Sequence, residues 1–262
     1  MKPLLALLLF FAAPTRATTA PEPAWVQADP VFPPLLAELD RSMNGLSLDA
    51  VRPYYIAYKV VDQRRVLVEA SLGALLSSHE DRRRLAGADL RVGSPAFDNT
   101  DFIGSDGGGQ APFTIQVPFE DGAAGLRHAL WWLSDAAFKS AHQRWSQKDA
   151  FRRAKNLPEL LPDMTPAPVT VVDALEPRSP FSRPAAEADA RRASAAFAAS
   201  PGLHGGRAAL YAWEDTLRVA DGEGRRQRRD VSRFQAVLSA WTQAPDGMPL
   251  SQERKLYARR AE

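Results

Sequence analysis

Between Leu157 and Pro184 the chain carries seven prolines, in LPELLPDMTPAPVTVVDALEPRSPFSRP. Proline has no backbone N–H and a fixed φ, so such a stretch forms neither one helix nor a central strand. It reads as an extended connection draped over the surface, with VTVVD as its strand-like piece. The fold must therefore be built from what flanks it, residues 21–156 and residues 185–262.

In the first flank, VFPPLLAELDRSMNG (31–45) places Leu35, Leu36, Leu39 and Met43 at helical spacing, with Gly45 to end the helix. YYIAYKVVD (Tyr54–Asp62) is rich in aromatic and β-branched residues and predicts a strand. RVLVEASLGALLSS follows so closely that the two predict a hairpin around Asp62-Gln63-Arg64. RRRLAGADLRVG (Arg82–Gly93) predicts a third strand, with Leu90 and Val92 on one face. Residues 94–118 read as a loop. A long helix follows over 121–155, with Asp121 at its N-cap and a buried stripe of Leu126, Leu130, Leu133, Ala137 and Ala141.

In the second flank, AAEADARRASAAFAAS predicts a helix over about 185–199. RAALYAWED and TLRVADGEG read as strands. VSRFQAVLSAWTQ alternates, with Phe234, Ala236, Leu238 and Ala240 facing one way. APDG (Ala244–Gly247) is a turn, and PLSQERKLYARR returns as the last strand. Strands in series with helices at the ends argue for an α+β fold, an antiparallel sheet with helices packed on one side.

Residues 1–20 differ from the rest. Lys2 gives a positive start, Leu4–Ala13 is an apolar run of about ten residues, and the small residues of APTRATTA follow. This is the pattern of a secretory signal peptide, and the run is shorter than the roughly 20 residues a membrane span needs. Cleavage after Ala17 or Ala20 is expected, to give an exported product, periplasmic or secreted, without a stable membrane anchor. The whole chain has 33 Lys and Arg against 31 Asp and Glu, and loss of Lys2 and Arg16 with the leader balances the two signs. No electrostatic footprint for nucleic acid is visible. With no cysteine in the chain, disulfides, thiolate metal ligands and a lipid-bearing N-terminal cysteine are all excluded.

SSHEDRRRL (Ser77–Leu85) contains a His-Glu pair of the kind that opens many zinc peptidase sites. Such a site needs a second His about one helical turn on, and those positions are Arg83 and Arg84. The stretch reads as a solvated charged turn between strands. His128 and His142 share one predicted helix but stand about 21 Å apart along it. His204 lies in a helix-stop signal, and no G-x-S-x-G elbow accompanies any histidine. SDGGGQ (Ser105–Gln110) lacks the Lys-Ser/Thr of a phosphate loop. In FDNTDF (Phe97–Phe102) the acids fail the calcium-loop pattern, and Asp98, Asn99 and Asp101 read instead as a structural Asx-type turn. Most tryptophans are expected in the core. Trp131 and Trp132 are adjacent on a helix, so one must face outward, which makes the pair a candidate partner interface. RRQRR (Arg225–Arg229) reads as a solvated hairpin flank, with an acidic ligand as the alternative.

The order of these elements, and above all FDNTDF and ALWWLSDAAFK, resembles the amino-terminal domain of the TldD/PmbA family, over roughly residues 35–258, and most closely its exported bacterial relatives. The resemblance implies a two-domain, dimeric family whose active member is a metallopeptidase with an H-E-x-x-x-H helix and a Cys ligand, and whose other member helps form a peptide channel. This chain has neither motif nor cysteine, so no catalytic or metal residue carries over and no cofactor is expected. The expectation is a non-catalytic module paired with a TldD/PmbA-like relative, or a homodimer. A fragment of a split metallopeptidase and a stand-alone binding domain are the alternatives.

Overall fold

The computed structural model describes residues 21–102, 113–120, 122–156, 161–176 and 181–259. In chain order the elements are α1 (Ala24–Ala28), α2 (Phe32–Gly45), β1 (Pro53–Ser71), β2 (Ala74–Ser94), β3 (Phe97–Asp98), β4 (Phe113–Val117), α3 (Ala123–Lys155), β5 (Val171–Ala174), α4 (Arg183–Ala198), β6 (Gly205–Asp221), β7 (Arg226–Gln243) and β8 (Pro249–Ala258).

One eight-stranded sheet organises the chain, in the order β3-β2-β1-β6-β7-β5, with β4 also on β2 and β8 also on β7. All pairings are antiparallel except β5 with β7, which is parallel. The fold is α+β, with the helices on one side of the sheet.

Several expectations about the strands are corrected. The three strands expected over residues 54–93 are two, of 19 and 21 residues, and Asp62-Gln63-Arg64 lies mid-strand, opposite Arg84, Arg83 and Arg82. The turn falls instead at Leu72 and Gly73, both at positive φ (49° and 89°), the conformation a two-residue hairpin turn requires. For the same reason SSHEDRRRL is the middle of β2 and not a turn. RAALYAWED and TLRVADGEG likewise merge into the single strand β6. Part of the expected loop 94–118 is strand, since β4 adds itself to β2 from Ala88 to Arg84.

Helices cover one face because the alternating residues of β1 and β2 that point there are apolar. Ile56, Tyr58, Val60, Ala86, Ala88 and Leu90 pack with Phe32 and Leu35 of α2 and with Leu126, Leu130 and Leu133 of α3. The predicted stripe of α3 is buried throughout. The buried Tyr58 hydroxyl donates to Ser42 Oγ on α2 at 3.2 Å and shares a hydrogen bond with Ser134 Oγ on α3, pinning both helices to the sheet. Farther along the same face, α4 lays Ala186 and Ala190 on Val66, Val68, Ala70 and Ala212. Gly206 permits close approach there: a Cβ would run into the Phe197 ring of α4. At the start of α3 the N-cap position is Gly122, without a side-chain cap. Asp121, the expected leader over residues 1–20 and SDGGGQ lie outside the described residues.

Candidate functional site

Between the two apolar clusters, the helix-side face of the sheet carries a belt of charge. Arg64 pairs with Glu80 and Glu214, Arg84 with Asp62, and Arg218 with both Asp62 and Asp29. Arg228 adds Asp29 and Asp173, and Arg226 adds Glu22. Arg84, Arg218 and Asp29 are buried, and buried charges persist only when paired and hydrogen-bonded. Burial alone would raise the Asp29 carboxyl, yet hydrogen bonds and charge from Arg218, the Val31 N–H and Arg228 hold it below its ordinary value. Hydrogen bonds from Arg64, with Arg82 behind them, lower Glu80 to about 2. The belt is saturated, and it clamps the segment from Glu22 to Asp29 onto β6 and β7.

Among the described residues, the opposite face has no helix over it. Strand alternation sends the odd-numbered neighbours of the belt there. They form a trough of about 1110 Å³ lined by Lys59, Val61, Leu85, Leu217, Val219 and Arg229, among others. The Arg-rich stretch is divided by the same alternation. Arg226 and Arg228 point into the belt, whereas Arg225, Gln227 and Arg229 line the trough. Arg225 donates through Nη2 to Gln227 Oε1 at 2.7 Å, and its buried Nε has no partner among the described residues. Lys59 and Arg229 are exposed and have no ion pair among the described residues. Thr100–Phe102, Arg144 of α3 and Arg91 border one end. Arg91 lies over the Tyr55 ring (5.5 Å) and 3.4 Å from Asp89.

His79 and Glu80 are neighbours on a strand and point to opposite faces, Glu80 into the belt and His79 to the exposed open side. Asp98 and Asn99 are fully buried. Asp98 Oδ1 accepts from Thr100 N at 2.7 Å, its Oδ2 accepts from the Tyr54 hydroxyl at 2.6 Å, and Asn99 Oδ1 accepts from Val92 N at 2.8 Å. Burial, then the Asp98 hydrogen bond and charge, push the Tyr54 phenol well above its ordinary value. Asp101 is exposed at the trough end, with φ of 51°. His128 stacks on Trp131 at 6.0 Å, and His142 Nε2 lies 3.7 Å from Asp49. Trp131 and Trp132 are both exposed, at 45% and 52%, and Trp241 is exposed too. None of the six tryptophans is fully buried, against the expectation that most are core. Trp25 and Trp145 are half-buried and pack against the core cluster, Trp25 edge-on to Phe32 at 5.4 Å, and Trp213 is half-buried.

Reading residues in isolation missed Lys59, Val61, Leu217 and Val219 as a set. The available signal was the period-2 pattern of RRQRR taken as strand. It assigns Arg225 and Arg229 to the face opposite Arg226 and Arg228.

A mainly antiparallel sheet with helices on one face and an open trough on the other defines an α+β sheet module. Comparison of the amino-acid sequence with family models and with curated proteins gives no match. Among solved structures, the chain is similar to a protein of Thermotoga maritima described as a candidate modulator of a DNA gyrase (TM-score 0.53, 10% identity, 86% of this chain and 44% of that one). A protein of Bacteroides thetaiotaomicron with the same description aligns at TM-score 0.50 and 8% identity, over 87% of this chain and 45% of that one. TldE from Thermococcus kodakarensis aligns at TM-score 0.45 and 10% identity, over 79% and 40%. The fold is TldD/PmbA-like, and the chain spans less than half the length of each of these structures.

Proposed function

We propose that the chain is an exported, non-catalytic module of the TldD/PmbA amino-terminal type that works by pairing with a peptidase-type partner. The observation that carries this reading is β8. All ten of its residues are exposed, on both faces. Among the described strands it pairs only with β7, so its outer edge offers unpaired backbone groups. Leu250 (41%), Leu256 (49%) and Tyr257 (73%) stand exposed along it, beside Trp241 of β7. A long exposed edge strand is a template for strand addition from another chain. Trp131 and Trp132 supply a second apolar surface on α3. Export is supported by the positive start and apolar run of residues 1–20.

The test is a pull-down with residues 21–262 from extracts of the native cells, with captured proteins identified by mass. The expected result is a stoichiometric TldD/PmbA-like partner carrying H-E-x-x-x-H, lost when Leu256→Asp and Tyr257→Asp are combined. A monomer that captures no such partner overturns the reading. The half-length match to solved structures supports one further reading, a split peptidase whose metal-bearing part is a separate chain. In that case the captured partner would itself lack an amino-terminal domain.

A further inference from the structure

Three cations of the trough differ from most other cations of this sheet in lacking carboxylate partners among the described residues. On the helix side, Arg64, Arg84, Arg218, Arg226 and Arg228 all meet carboxylates. On the open side Arg65 meets Asp215 and Arg207 meets Glu69, but inside the trough Lys59, Arg225 and Arg229 meet no carboxylate among the described residues. The acids that line the trough are Asp89, which faces Arg91, and Asp101 at the far end. The floor between the cations is apolar, formed by half-buried Val61, Leu85, Leu217 and Val219. Lys59 and Arg229 stand on β1 and β7, two strands and so about 10 Å apart across the sheet, and two residues out of register along it. Small-ligand pockets are mostly apolar with a few convergent polar groups, and hold roughly 300–1,000 Å³. At about 1110 Å³ this trough suits an elongated occupant. Lys59, Arg91, Arg144, Arg225 and Arg229 outnumber Asp89 and Asp101 in the lining, and a cleft with an excess of one sign concentrates ligands of the other sign.

We propose that the trough binds a monomeric amphipathic anion, an elongated apolar body ending in a carboxylate or phosphate. The anionic end lies among Lys59, Arg225 and Arg229, and the apolar body lies on Val61, Leu217 and Val219. This needs no partner protein and does not use β8, so it stands or falls separately from the pairing reading.

The test is calorimetric titration of residues 21–262 with dodecanoate and with dodecyl phosphate, both below their micellar concentrations. The expected result is saturable 1:1 binding, at least tenfold tighter than that of dodecyltrimethylammonium or hexanoate. Combining Lys59→Gln with Arg229→Gln should weaken binding at least tenfold while the thermal midpoint holds. Lys255→Gln on β8 should change nothing. Equal binding of the cationic amphiphile, equally tight binding of polyglutamate, or an unaffected Lys59/Arg229 variant would each overturn the proposal. So would binding to phosphatidylglycerol vesicles without binding of the monomeric anions.

Discussion

Arg218 donates through Nε to both carboxylate oxygens of Asp29, at 2.9 and 2.8 Å, while its Nη1 reaches Asp62 Oδ2 at 2.9 Å. Arg228 Nη1 adds a bond to Asp29 Oδ2 at 3.0 Å. One carboxylate thus ties the start of the described chain to two strands of its second half. Asp29→Ala leaves two partly buried guanidinium groups short of a counter-ion, and removing one member of a buried pair costs about 3–5 kcal/mol. Urea unfolding should show this loss, and a change below about 1 kcal/mol would contradict the clamp.

The same belt sets the acid response. The folded-state carboxyls of Glu80 and Asp29 lie below their ordinary values of 4.5 and 3.8, Glu80 at about 2. The unfolded chain therefore takes up these protons first as pH falls. Their contribution is present in full above about pH 4.5 and is lost as pH drops towards 2. Glu80→Gln should be less stable than wild type at pH 7, and its urea midpoint should fall less steeply between pH 4.5 and 2. Parallel curves for the two proteins would exclude Glu80 from the acid response.

Gly93 sits at φ +96°, and a Cβ there would run into the Phe97 carbonyl oxygen and lie 2.5 Å from Trp145 Nε1. Gly202 has a similar φ, +93°, but open space around it. Gly93→Ala and Gly202→Ala thus share the backbone penalty and differ in the clash. Overpacking costs about 1–3 kcal/mol, so Gly93→Ala should have the lower thermal midpoint by that margin. Equal midpoints would mean that both the Phe97 backbone and Trp145 yield freely.

Tyr58→Phe removes the hydroxyl that links α2 and α3 to β1. Ser134 Oγ keeps the Leu130 carbonyl, 2.7 Å away, so the loss should stay near the about 0.5–1.5 kcal/mol of a net hydrogen bond. Hydrogen exchange should quicken around Ser42 and Ser134 and stay unchanged in α4.

What the sequence made legible was whatever one covered face could encode. The stripe of α3 and the shared face of Leu90 and Val92 were readable because apolar spacing alone specifies them. The middle of β1 was not. Asp62, Arg64 and Arg65 break the apolar alternation there, and what keeps them in strand is Arg84, Glu214 and Asp215, distant in sequence. The true turn was hidden because Leu72 takes a positive φ without an Asn or Asp to announce it. The trough was hidden for a related reason: its residues come a few at a time, at alternate positions, from four strands, and only the sheet register brings them together.

That register also dictates an order of assembly. The β1–β2 hairpin closes through two residues, and β6 joins β7 through Gly222–Arg225, so each pair can zip locally within microseconds. The seam between β1 and β6 joins positions as distant as Ala57 and Asp221, and the proline-rich connection must be spanned before it can form. Long-range pairing of this kind sets the folding rate. The seam is then the last line to close and the natural place for the molecule to come apart. A chain nicked within the connection should still reassemble along it, as two hairpins that find each other in solution.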